Sequence, residues 1–199
     1  MSHPSLPNYL ALSGGSTFGL SSDCTDCSAP GSGLAGQLSS DGISWKGYME
    51  DLPHPCFTGN AAGDYAKKHD PFVYYRELVR KPANCKRVVP LDQLAADERA
   101  HALPEFIWIT PNLCHDMHDC SVSTADRFLK QLLPPFAAAA GTRRLCEAGR
   151  PLLAAADNRG PVRGQQAARR SLCVHAVACA ATRYGPLTSP DVTYALNPK

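Results

Sequence analysis

Five consecutive residues, Phe106-Ile107-Trp108-Ile109-Thr110, are all β-branched or aromatic, and Pro104 and Pro111 bracket them. A run this short and this apolar, bounded by prolines, specifies a buried strand. The next ten residues, PNLCHDMHDC, hold two His, two Asp, an Asn and two Cys. Polar groups this dense are seldom there for packing, and their place is informative. They follow a strand directly, at its carboxyl end, the edge at which open α/β sheets bind ligands.

The surrounding pattern agrees with such a sheet. Residues 43–49, ISWKGYM, alternate as a strand with one buried face and end at Glu50-Asp51-Leu52-Pro53. Residues 91–100, LDQLAADERA, carry an amphipathic helical pattern, and 121–133, SVSTADRFLKQLL, begin with capping residues and stop at Pro134-Pro135. Near the start, Tyr9-Leu10-Ala11-Leu12 predicts a short helix closed by Gly14-Gly15, and a Ser, Gly, Asp and Cys rich loop follows, with a short amphipathic piece around Leu34, Gln37 and Leu38. Strands alternating with helices predict an α/β fold with a mainly parallel sheet.

Charge is distributed unevenly. Residues 1–136 hold 11 Lys+Arg against 15 Asp+Glu, and residues 137–199 hold 9 against 3. A mildly acidic body does not track a phosphate backbone, so nucleic acid is not an expected partner. No apolar run approaches the roughly 20 residues of a membrane span. Beyond Ala137 the chain is rich in Ala, Arg, Pro and Gly, with no strand-like apolar run until Val174; it reads as a weak helix, a disordered basic arm, or the product of a shifted reading frame. The domain expected to carry function is therefore residues 1–136.

Six of the nine cysteines lie in that body, near one another in sequence as Cys24 and Cys27, Cys56 and Cys85, Cys114 and Cys120. Disulfides are the first reading and a zinc site the second, although Cys24-Thr25-Asp26-Cys27 has no partner CxxC. Six cysteines allow about 15 pairings, so connectivity stays open at this level. Disulfides imply an oxidising compartment, yet the chain opens MSHPSLPNYL, with no basic region or apolar core of a secretory leader.

Several single residues carry candidate chemistry. Ser5, just ahead of the first helix, either caps it or serves as a nucleophile whose developing charge faces the helix amino end, and the cap is the commoner use. His69, in Lys67-Lys68-His69-Asp70-Pro71-Phe72, is either a satisfied polar residue or a donor to a phosphate oxygen.

Three blocks together, SHPSLPNYLALSGGSTFGL, GYMEDLP with YAKKHDPFVYY, and FIWITPNLCHDMHDCSVSTADRFL, resemble the bacterial phosphoesterase family of acid phosphatases and phospholipase C enzymes. Within that family the likeness is to the secreted mycobacterial-type acid phosphatases that act as phosphatidylinositol-3-phosphatases. It covers residues 1–136 in order and spacing, and implies an alkaline-phosphatase-like α/β/α sandwich. The resemblance turns Ser5 from cap to nucleophile and gives it a divalent metal ion as ligand and activator, since a hydroxyl is a weak nucleophile at neutral pH. It assigns His69 and His118 to the phosphate, where imidazolium groups neutralise charge and protonate a leaving oxygen. Asn8, Asn112, Asp116 and Asp119 become binding or orienting residues, the last three around His118. Glu50 and His115 are weaker candidates, and His3 is a turn residue. The expected substrate is a phosphate monoester, including a lipid headgroup, at a secreted location.

The sequence also departs from the family. An upstream strand ending in a Glu-Asn metal pair and a downstream Asp-containing strand of the TWDE type are both missing, so the sandwich is expected to be incomplete at both ends, with Ser5 alone among the metal ligands. Two other readings follow: a phospholipase C-type phosphodiesterase, and a truncated, inactive protein that only binds.

Overall fold

A computed structural model describes residues 3–133 in full, together with the backbone of two strands, Thr142–Leu145 and Arg170–Val174. In chain order the strands are β1 (Trp45–Met49), β2 (Ala61–Ala62), β3 (Tyr65–Ala66), β4 (Val88–Pro90), β5 (Phe106–Thr110), β6 (Thr142–Leu145) and β7 (Arg170–Val174). The helices are α1 (Ser5–Gly14), α2 (Gly33–Ser40), α3 (Arg76–Val79), α4 (Pro82–Cys85), α5 (Gln93–Arg99) and α6 (Val122–Leu132), with 3-10 turns at Lys67–His69 and Pro71–Tyr74. The fold is α/β. Five strands form one sheet in the order β4-β1-β5-β7-β6, every pair parallel, and β2 and β3 make a separate small hairpin.

The apolar run that predicts a strand becomes β5, buried at all five positions between β1 and β7. β1 pairs with it from Trp45 opposite Phe106 to Met49 opposite Thr110. Alternation in β1 suggests one buried face, but four of its five residues are buried, because helices cover the sheet on both sides. On one face Trp45, Met49, Phe106 and Trp108 meet Leu6, Tyr9 and Leu10 of α1 and the aromatic turn Phe72-Val73-Tyr74. On the other, Tyr48, Val89, Ile107 and Ile109 meet Leu94 of α5, with Leu132 of α6 against them. Burying each large apolar side chain contributes about 1.5–3 kcal/mol. Two-sided burial makes three layers and explains why β5 has no polar face.

Local chemistry fixes the elements around this core. Gly15 at φ 74° ends α1, its N–H donating to Ala11 O, a conformation in which glycine has no Cβ penalty. Phe72 stacks on Trp45 with ring centroids 5.4 Å apart and sets its edge against Trp108 at 5.2 Å. Its ring also lies over Gly47, where an added Cβ would come within 3.1 Å of it. Ser121 caps α6 by accepting the Thr124 N–H. The three neighbouring cysteine pairs are all joined, as Cys24–Cys27, Cys56–Cys85 and Cys114–Cys120. Zinc is therefore not what holds these cysteines.

Two strands fall within the segment whose sequence reads as a basic tail. β7 pairs with β5 from Phe106 opposite Ser171 to Ile109 opposite Val174, and β6 pairs with β7. Periodicity had little to find there, since Thr142-Arg143-Arg144-Leu145 and Arg170-Ser171 carry no branched apolar run. The remaining expectations for the tail concern positions outside the described residues. Among the described residues no helix is long and apolar enough to cross a membrane.

Candidate active site

The chain leaves β1 to one side, adds β4, and returns to place β5 on the other side of β1. The carboxyl ends of β1 and β5 thus flank a topological switch point, the crevice where open parallel sheets take ligands. The segment after β1 supplies Glu50 and Asp51, and the segment after β5 supplies the ten-residue polar cluster.

Asn112 joins the two. Its N–H donates to Glu50 Oε2 at 2.9 Å and its Nδ2 to Asp51 Oδ2 at 2.8 Å, while its Oδ1 accepts the N–H of Cys114 and of His115. Asn112 therefore shapes the loop and its tie to β1, and its hydrogen bonds go to these residues instead of to His118, which the sequence pairs it with. His115 Nδ1 lies 2.8 Å from Glu50 Oε1, and its ring stacks on Phe128 at 4.4 Å. The two weaker sequence candidates are thus partners of each other.

The Cys114–Cys120 disulfide closes this loop, and inside it Met117 adopts φ 69° although it is not glycine. Such a conformation costs on the order of 1 kcal/mol. It is held by an Asx turn in which the His118 N–H donates to Asp116 Oδ1 at 2.8 Å. Asp116 is fully buried, and its other oxygen, Oδ2, lies 2.8 Å from His69 Nδ1. One carboxylate thus braces both histidines that the resemblance assigns to phosphate; the sequence alone connects it to His118 only. The carboxylate charge beside Nδ1 favours the proton there, and Asp116 Oδ2 and His69 Nε2 are both buried without a hydrogen-bond partner, so the Asp116–His69 contact is one of charge and Nε2 is the open position of the ring. The rings of His69 and His118 are 5.6 Å apart.

His118 is partly exposed and tied at both nitrogens, with Nδ1 2.6 Å from Asp119 Oδ1 and Nε2 3.1 Å from Lys68 Nζ. An ammonium only donates, so Nε2 accepts from Lys68 and the proton on the ring faces Asp119. The basic pair Lys67-Lys68 therefore divides. Lys67 turns inward, donating to Thr25 O at 2.7 Å with its ammonium 4.8 Å above the Tyr74 ring, whereas Lys68 faces His118 and Asp23.

Ser5 is the first residue of α1, half-buried, and Pro4, which holds the capping position, makes no side-chain cap. The cap reading of Ser5 is thereby removed on geometry. Asn8 Nδ2 donates back to Pro4 O at 3.1 Å and so braces the turn that presents Ser5. His3 is exposed in that turn. α1 meets the histidines by two routes. Tyr9 stacks on His69 with centroids 5.1 Å apart, and the N–H of Leu6, next to Ser5, donates to Asp23 Oδ1 at 2.8 Å while Asp23 Oδ2 lies 3.4 Å from Lys68 Nζ. Asp23 escapes sequence reasoning, since it is one acid in a Ser and Cys rich loop with no periodic signal.

Among the described residues no three His, Cys, Asp or Glu side chains converge to hold a metal ion. Ser5 has no companion ligands there, so the divalent ion that the resemblance calls for does not fit the residues described.

Asp70, beside His69, is fully buried, and burial pushes its carboxyl up to about 7 against the lowering effect of the Tyr65 hydroxyl, the Phe72 and Val73 amides and Lys67. Between about pH 4 and 7 the folded protein therefore holds a proton that the unfolded chain has released, and stability from this group falls as pH rises through that window. The expected result is a higher thermal midpoint near pH 5 than near pH 7.5, by about 2–3 kcal/mol of stability from this group. Asp70→Asn, which keeps an acceptor for Phe72 and a partner for Tyr65, should flatten the difference; a slope unchanged in the variant would assign it elsewhere. Asp97 opposes at the acid end. Burial raises its carboxyl, but donation from Lys46 and Tyr48 outweighs this and holds it low, so its contribution is lost only as pH falls through that lowered value.

The arrangement, with a serine at a helix amino end, two histidines at one buried carboxylate and a lysine on the second histidine, suits a substrate carrying phosphate. Comparison with known proteins points the same way. The Phosphoesterase family model matches residues 1–143. The chain is 36% identical over 138 residues to a phosphatidylinositol-3-phosphatase of Mycobacterium tuberculosis, covering 68% of this chain and 44% of that protein. It is 33% identical over 143 residues to a phosphate-repressible acid phosphatase of Penicillium chrysogenum, covering 67% and 35%. An acid phosphatase of Aspergillus fumigatus is 31% identical over 143 residues, covering 68% and 32%. The chain thus spans between about a third and just under half of the length of these relatives. With a family match across more than two thirds of its residues, the chain belongs to the phosphoesterase family.

Proposed function

We propose that this chain carries the phosphoryl-transfer machinery of a phosphate monoester hydrolase of the acid phosphatase type. The observation that carries the reading is the Asp116 brace, one buried carboxylate against both His69 and His118. In the proposed sequence Ser5 Oγ attacks phosphorus as its proton passes to His69 Nε2, the ester P–O bond breaks, and the leaving oxygen takes that proton to depart as an alcohol. Water then attacks the phosphoseryl group, giving inorganic phosphate and restoring the serine hydroxyl. His69 Nε2, with Nδ1 beside Asp116, exchanges one proton, Lys68 supplies positive charge to the equatorial oxygens, and His118 holds that ammonium toward the site. Asp119 keeps His118 turned, and Asn8 and Asn112 hold the two loops. The divalent ion, for which the resemblance offers Ser5 alone among the described residues, remains an expectation of the resemblance, and none of these steps is assigned to it. Three disulfides fit an oxidising, extracytoplasmic location.

A phosphoinositide headgroup is the finer substrate proposal, supported by the mycobacterial relative's name; a diester-cleaving activity and a binding-only role are the alternatives. Incubation with an aryl phosphate at acid to neutral pH, with and without divalent cations, followed by acid quench and mass mapping, tests the reading. Release of inorganic phosphate and a phosphoryl group on the peptide containing Ser5 are expected. Diacylglycerol release from phospholipid without phosphate release would favour the diesterase, and a folded chain that binds phosphate but never turns it over would favour the binding role.

A further inference from the structure

Lys68 is held in this structure by two groups that a phosphate would replace. Its Nζ lies 3.4 Å from Asp23 Oδ2 and 3.1 Å from His118 Nε2, and both the Lys68 and Asp23 side chains are 25% exposed. Asp23 in turn uses Oδ1 to accept the Leu6 N–H at the amino end of α1, a helix with no acidic residue in its own first turn and with Pro4 in the capping position. That N–H belongs to the residue after Ser5, where a phosphoryl group on the serine would seek donors. The carboxylate therefore sits with one oxygen on the helix amino end and the other toward the site's lysine, as an anion substrate would. Nearby, His69 Nε2 is buried and unpartnered, so the site also holds a polar atom awaiting a ligand.

We propose that Lys68 is a direct ligand of the substrate phosphate and that Asp23 is its internal competitor, occupying the anion seat until a doubly charged phosphomonoester displaces it. The inference rests on the phosphatase reading of the same site and adds a means of selecting charge. A dianion beside Asp23 repels the carboxylate and attracts Lys68 more strongly than a monoanion does. Lys68 then turns to phosphate and releases His118 Nε2. A phosphodiester, with one charge, displaces Asp23 less well, so the carboxylate favours monoesters over diesters. It also returns to the seat when phosphate leaves, aiding product release.

The test measures inorganic phosphate binding by calorimetry or phosphorus NMR, which needs no turnover, in the full chain carrying Asp23→Asn, Lys68→Met or Lys68→Arg. Asn keeps an acceptor for the Leu6 N–H, so the helix end stays satisfied while the competing charge is gone. Asp23→Asn is expected to tighten phosphate binding about tenfold, and Lys68→Met to weaken it about tenfold, with most of the loss recovered in Lys68→Arg. In Asp23→Asn the affinity ratio of a phosphomonoester over a matched diester should narrow. Weaker or unchanged phosphate binding in Asp23→Asn, or unchanged binding in Lys68→Met, overturns the proposal, as does the absence of phosphate binding in wild type and Asp23→Asn alike. The predicted affinity changes in a chain that never hydrolyses an ester would uphold the competitor while sinking the hydrolase reading.

Discussion

Ser5→Ala is expected to abolish turnover of a phosphate monoester while leaving the protein folded and able to bind phosphate. Removal of an attacking hydroxyl typically costs about 10⁴-fold or more in kcat, because the remaining groups still bind and polarise the ester but form no covalent intermediate. Stability should change little. Ser5 is the first helical residue, half-buried, and that helix end is satisfied by Asp23 rather than by the serine, so the loss of about 1 kcal/mol that accompanies removal of a capping serine has no basis here. The pair of readouts separates the two roles that a serine ahead of a helix can play. A thermal midpoint lowered by several degrees with turnover intact would restore the cap, and a fall in kcat at constant midpoint assigns the nucleophile. Ser5→Thr keeps a hydroxyl and adds a methyl group at a half-buried position; partial activity is the expected result, measured as kcat at saturating aryl phosphate.

Much of this arrangement was legible before any coordinates. Phe106–Thr110 announced a central strand because a stretch buried on both faces must be apolar throughout. The dense polar run after it located the site, since β5 hands its carboxyl end to the loop that follows. The neighbouring cysteines pair as their spacing suggests, although spacing alone leaves many connectivities open. What stayed hidden depends on contacts distant in sequence. Asp23 reaches Leu6 across 17 positions and Lys68 reaches His118 across 50, and no periodic signal marks either. Glu50 and His115, 65 positions apart, meet only because parallel pairing aligns the carboxyl ends of β1 and β5. β6 and β7 were missed for a different reason: their arginine and serine positions lack the alternation that marks a strand, and backbone pairing next to β5 assembles them. Proximity created by topology is invisible to local pattern, and at this site it joins the histidines to the helix that presents Ser5.

Asp116→Asn is the substitution expected to separate orientation from packing. The side chain is fully buried, with Oδ1 accepting the His118 N–H at 2.8 Å and Oδ2 2.8 Å from His69 Nδ1. Asparagine has the same shape and can keep its carbonyl oxygen on His118. Its amide NH₂ then faces His69 Nδ1, where a donor would oppose a donor. The imidazole resolves this by moving its proton to Nε2, which places a hydrogen where the proposed chemistry needs an acceptor, or by rotating away. Either outcome should lower kcat by roughly 10²–10⁴-fold with KM changed much less, as expected for a group that acts through the histidine it orients. A structural role alone would not alter the tautomer, so nitrogen NMR of the His69 ring supplies the discriminating signal: Nδ1–H in the parent and Nε2–H in the variant. Asp116→Ala is a harsher change. It leaves the His118 N–H without its acceptor, a cost of about 1–3 kcal/mol, removes the charge beside His69 Nδ1, and releases the turn that holds Met117 in its left-handed conformation. The thermal midpoint should therefore fall steeply in the alanine variant and slightly in the asparagine variant, while both lose activity. An asparagine variant with full kcat and an unchanged His69 tautomer would reduce Asp116 to a packing residue and leave the two histidines without a common brace.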